Sequence, residues 1–105
     1  ADQKGKPLCD ALMYNDQRSL SEADTIKKIA PDHTAAMGAS SGLAKILYLH
    51  HQLTNKAIHY ALNQADWING KLLGKYGISD SNNALKMGYD AQSHCWPDWL
   101  LNLLI

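Results

Sequence analysis

Residues 43–72 read LAKILYLHHQLTNKAIHYALNQADWINGKL. In this stretch Leu43, Ile46, Leu47, Leu49, Leu53, Ala57, Ile58, Ala61, Leu62, Ala65, Ile68 and Leu72 keep the i, i+3, i+4 spacing of one helical face. One helix from Ser41 to Tyr76 would be about 54 Å long, whereas a compact domain of this size has a radius of gyration near 13 Å. The pattern therefore predicts helix that must break. Asn69-Gly70 is a candidate stop, because glycine tolerates the left-handed cap, and Thr54-Asn55 is a candidate cap for a new helix.

The flanking sequence carries further helix punctuation. Pro7 suits a first helical turn, with Leu8, Ala11 and Leu12 following at helical spacing. Ser21 with Asp24 three positions on resembles a capping box for a helix over 19–30, and Pro31 stops it. Residues 31–42 are small and read as a loop with partial helix. Asp80 or Ser81 caps a helix running through Leu85, Met87, Ala91 and His94, and Pro97 opens a last apolar helix, Trp99 to Leu104.

Composition points the same way. Valine and phenylalanine are absent from the 105 residues, leaving strands little to be made from. Leucine and alanine dominate, and both lose little rotamer freedom on a helix. The expected fold is all-α: a small single-domain bundle of about five helices spanning 1–105. Ten acids balance ten bases, so the cationic footprint of nucleic-acid binders is missing. No apolar run approaches the ~20 residues needed for a transmembrane segment.

Cys9 and Cys95 lie near opposite ends of the chain, and an even count without a CxxC motif suggests a disulfide stapling the terminal regions. In the loop-entropy model such a bond is worth roughly 4–5 kcal/mol. The chain begins at Ala1, as a mature protein does after signal cleavage at a small residue. Together these readings predict an exported protein, periplasmic or secreted.

Five groups of residues carry the side chains that chemistry would use. His51 and His59 share a helical face yet would lie about 12 Å apart along the axis, too far to chelate one ion. With Asn55 and Asn63 they form a polar ridge opposite the apolar face, where Leu53, Ala57, Ile58, Ala61, Ala65 and Ile68 are expected to be buried. His94-Cys95 would point about 100° apart on a helix and so make a poor nucleophile pair, while Glu22 and Asp24 serve the helix dipole. Gly38 and Gly42 bracket a small-residue loop that lacks phosphate-loop spacing. Trp96, held by Pro97, is the aromatic residue best placed for an exposed contact.

No catalytic constellation and no motif for metal, haem or nucleotide emerges, so no cofactor is expected. The expected function is a binding protein acting through contact with another protein, in the manner of inhibitor or toxin-immunity proteins. His51, Asn55, His59, Asn63 and Trp96 are its candidate partner-binding residues. A small-ligand or metal carrier, or a small secreted enzyme using the histidines and aromatics, is the alternative.

Overall fold

Side-chain caps start three of the helices, and a proline follows the end of another. A computed structural model describes residues 1–104 and contains α1 (Leu20–Ile29), α2 (Gly42–Gln52), α3 (Gln64–Leu73), α4 (Ser81–Leu85) and α5 (Asp98–Leu104). Ser41 Oγ accepts from the Ala44 N–H at the start of α2, and Asp80 accepts from the Asn83 N–H at the start of α4. Lys27 and Lys28 complement the carboxyl end of α1, which stops before Pro31. Among the described residues there is no strand, only an isolated antiparallel bridge between Asp90 and Cys95. The protein is all-α.

Three local expectations are corrected. The Pro7–Asn15 segment is not helical; it runs as an irregular strap. The residue that precedes α1 is Ser19 rather than Ser21, and its hydroxyl makes no capping bond. The fourth helix ends at Leu85, followed by turns, instead of continuing to His94.

The principal core forms where α1 and α2 pack together and α5 closes over them. Ile26, Ala36, Leu43, Ala44, Leu47 and Leu100 are buried there, with Ala23, Met37, Trp99 and Leu103 packed around them. Gly88 permits a close approach: a Cβ at this position would meet Leu100 and Trp99 at 3.3–3.4 Å. The radius of gyration, 13.3 Å, matches the ~13 Å expected of a compact chain of this length.

A second cluster lies away from that core. Tyr76 is held between Gly5 and Gly70, so tightly that a Cβ on either glycine would fall 2.0 Å and 2.2 Å from its ring. Trp67 Nε1 donates to the Gly5 carbonyl at 3.0 Å, and the Tyr60 and Tyr76 rings are 5.8 Å apart. The first residues of the chain thereby become part of the α3 region.

That docking explains the largest departure from periodicity. The segment 53–63 is not helix, because its backbone groups find other partners. The His59 and Tyr60 N–H groups both donate to the Ala1 carbonyl at 3.0 Å, and the Ala1 nitrogen donates to the Tyr60 carbonyl at 2.7 Å. Asn63 then caps α3, which ends at Gly74 with φ +67 rather than at Gly70. The expected buried face is consequently lost: Ala57, Ile58, Ala61, Ala65 and Ile68 are all exposed, and Leu53 is half-buried.

The disulfide expectation is also corrected. Cys9 and Cys95 are both free and exposed. Cys9 follows Leu8, whose carbonyl is held by Lys56 Nζ, while Cys95 is fixed in a tight loop by paired backbone bonds with Asp90. Each thiol is anchored by its own neighbourhood, and the two are not brought together.

Candidate functional site

The polar ridge is redistributed along four different settings. His51 lies in the last turn of α2, Asn55 in the turn that follows, His59 in irregular chain, and Asn63 caps α3. Asn63 spends its amide internally: Oδ1 accepts from the Asp66 N–H, and Nδ2 donates to the Asp66 carboxylate, both at 2.8 Å. His59 packs edge-on against Tyr60 with ring centroids 4.6 Å apart and borders a depression of about 360 Å³ lined by Asp2, Gln3, Lys4, Ala57 and Ile58. Trp96 is exposed and stands in a T-shaped contact with Tyr89, centroids 5.3 Å apart, on the loop before α5.

His51 lines a cleft between α1 and α2. It lies opposite Glu22, with Nδ1 3.3 Å from Oε1, while Ser21 Oγ donates to Oε2 at 2.8 Å. Thr25, Leu47 and Leu103 complete a cavity of about 320 Å³. Helix packing builds this arrangement, because the α1–α2 contact sets the first turn of one helix beside the last turn of the other. Glu22 is 7% exposed, whereas His51 remains largely open to solvent.

Desolvation pushes the Glu22 carboxyl up, but hydrogen bonds from Ser21, its own backbone and His51 outweigh it and hold the group below its ordinary value. The carboxylate is thus an acceptor for both neighbours. With Nδ1 turned to Glu22, the Nε2 edge of His51 is left for a polar ligand in the cavity. Ser21 donates to the carboxylate instead of the imidazole, so the three residues lack the order that activates a hydroxyl nucleophile. Orientation of a polar ligand is the chemistry this cleft supports.

A second feature escaped the sequence reading. Met13 and Tyr14 stand at the tip of the strap in a turn closed by the Asp16 N–H donating to the Met13 carbonyl at 3.1 Å. Lys45 Nζ, from α2, donates to the Met13 and Tyr14 carbonyls at 2.7 Å and 3.0 Å, and Arg18 pairs with Asp16 at 2.8 Å. The Tyr14 side chain is nevertheless 83% exposed. Its backbone is held while its ring is displayed. The turn-forming Asn15-Asp16 pair was the available sequence signal. Glu22 announced itself only as the single glutamate.

His94 has φ +54, and Ser93 Oγ bridges the Asp90 carboxylate at 2.7 Å and Cys95 Sγ at 3.2 Å. Among the described residues no three His, Cys, Asp or Glu side chains gather in a metal-binding arrangement. No protein-family model matches the chain.

Proposed function

We propose that the chain is a binding protein that acts by contact with another protein, in the manner of inhibitors and immunity proteins. The observation that carries this reading is the displayed Met13-Tyr14 turn. A large amphipathic ring on backbone already fixed by Lys45 loses little conformational entropy when it enters a partner's pocket, the usual property of an anchor residue. His51, Asn55 and His59 extend the proposed contact with exposed imidazole and amide groups, and Trp96 supplies a second anchor. Asn63 contributes through the cap that places α3.

A photocrosslinking residue installed at position 14 tests the reading in extract from the source cells. The expected result is a discrete protein adduct, displaced by excess unlabelled wild type and not by the Tyr14→Ala chain. Replacing His51, Asn55 and His59 together by alanine should weaken that displacement about tenfold, on the order of 1.4 kcal/mol. Equal displacement by wild type and Tyr14→Ala would remove the turn from the contact.

The Glu22–His51 cavity favours a second reading as a small-ligand carrier, since its volume falls at the lower end of ligand sites. Ligand-observed binding that is lost in His51→Ala and kept in Tyr14→Ala would select it. The exported, periplasmic or secreted setting belongs to the proposal without the Cys9–Cys95 staple that suggested it; cell fractionation is its test.

A further inference from the structure

The orientation of α3 is inverted relative to an ordinary surface helix. Its inward side presents Asp66, Trp67 and Gly70, while its outward side presents Ile68 and Leu72 one turn apart, with Leu73 beside them. These three are 50%, 80% and 65% exposed, and Ile78 just beyond the Gly74 cap is exposed as well. Packing enforces the inversion, because only Gly70 leaves room for the Tyr76 ring. Single exposed aliphatic residues are commonplace, but adjoining large ones with a buried acid beneath them are not.

Along α3 and the turn that follows it, the exposed charges have one sign. Within residues 64–79 the exposed charged side chains are Lys71 and Lys75, and the single acid, Asp66, is buried against the Asn63 amide. Lys71 Nζ stands 5.3 Å from the Trp67 ring centroid. The next acid along the chain, Asp80, caps α4 by accepting from the Asn83 N–H.

We propose that the outward face of α3, with Leu73 and Ile78, docks on an anionic lipid surface. Aliphatic side chains at the tip enter the boundary between headgroups and acyl chains, while lysine stems lie along the apolar surface and their ammonium groups reach lipid phosphates. A second copy is the poorer occupant, since face-to-face α3 helices would set lysine against lysine with no exposed acid in the segment to separate them. No described helix is long and apolar enough to cross a membrane, so the attachment is peripheral. Its residues are separate from Tyr14 and His51, and it stands independently of the protein-contact reading.

Co-sedimentation of the whole chain with vesicles tests it, using phosphatidylglycerol mixed into phosphatidylcholine against phosphatidylcholine alone. Wild type is expected to pellet with the anionic vesicles and to be largely released at high salt. Leu72→Ser with Leu73→Ser should lower partitioning at least about tenfold, as should Lys71→Gln with Lys75→Gln, with far-UV helicity unchanged in both. Because all four side chains are exposed, both variants are expected to fold. Wild type remaining in the supernatant, or serine and glutamine variants that pellet like wild type, would overturn the proposal. So would a vesicle-free dimer dispersed by the leucine changes together with absent lipid binding.

Discussion

Gly70 and Gly5 show how one missing methyl group decides local architecture. Exchanging glycine for alanine inside a helix ordinarily stabilises by about 1 kcal/mol. At Gly70 the added Cβ would lie 2.2 Å from the Tyr76 ring, and the ring also touches Gly5 on its other side. The steric term is larger, so Gly70→Ala should lower stability by about 1–3 kcal/mol, as overpacking does. Urea unfolding measures the sign; a stabilised variant would show that Tyr76 has room to move. Glu22 yields the second prediction at this scale. Its carboxyl, raised by desolvation but lowered further by Ser21 and His51, sits below its ordinary value of 4.5 in the folded chain. It therefore contributes stability that is present above that value and is lost as pH falls through the depressed folded value. The melting temperature of Glu22→Gln should trail wild type most at neutral pH, with the gap closing as pH falls below the ordinary value of 4.5. Asp2, Asp16, Asp80 and Asp90 act in the same direction, each lowered chiefly by a hydrogen bond, from Lys6, Arg18, Asn83 and Ser93 respectively.

Asn63 controls an element rather than a single contact. Substitution by alanine removes the cap of α3, about 1 kcal/mol, and strips a donor from the buried Asp66 carboxylate, a further loss of about 1–3 kcal/mol. Hydrogen exchange should accelerate first across 64–73 in this variant. The strap gives a contrasting case, because Lys45 supplies the two ammonium bonds at its tip. Lys45→Met should leave helix content unchanged and expose the Tyr14 peptide bond to chymotrypsin severalfold faster, read by mass spectrometry of the fragments. Helix ends governed by neighbouring chemistry were legible in the sequence: Asp80 as a cap, Pro31 and Pro97 as boundaries. A break near Thr54-Asn55 was legible too, but its length, to Asn63, was not, since Ala1 supplies the competing carbonyl from 58 or 59 positions away. For the same reason Ile68 was expected inside. Its periodicity is genuine, but Gly5 and Tyr76 claim the opposite side of α3. Of the expected contact residues, His51 could be placed on a face, whereas its pairing with Glu22 required the α1–α2 packing that sequence spacing does not encode.

At the scale of the molecule, stability rests on two packed regions and no covalent staple. Both thiols are free, so adding reductant should leave the melting temperature unchanged, and alkylation without reduction should modify both Cys9 and Cys95. A fall of several degrees on reduction would instead reveal a bond between them. The way the first residues insert beside Trp67 and Tyr76 also has a consequence in time. Helical proteins commonly fold within microseconds to milliseconds because their contacts are local. Here the Ala1–Tyr60 and Gly5–Trp67 bonds join positions 59 and 62 residues apart, and Ile26 shares its core with Leu100. Residues 1–6 stay undocked until Tyr76 is in place. Only then does the chain hold both sides of the clasp, and its closure is expected as a late folding event set by loop entropy more than by helix growth.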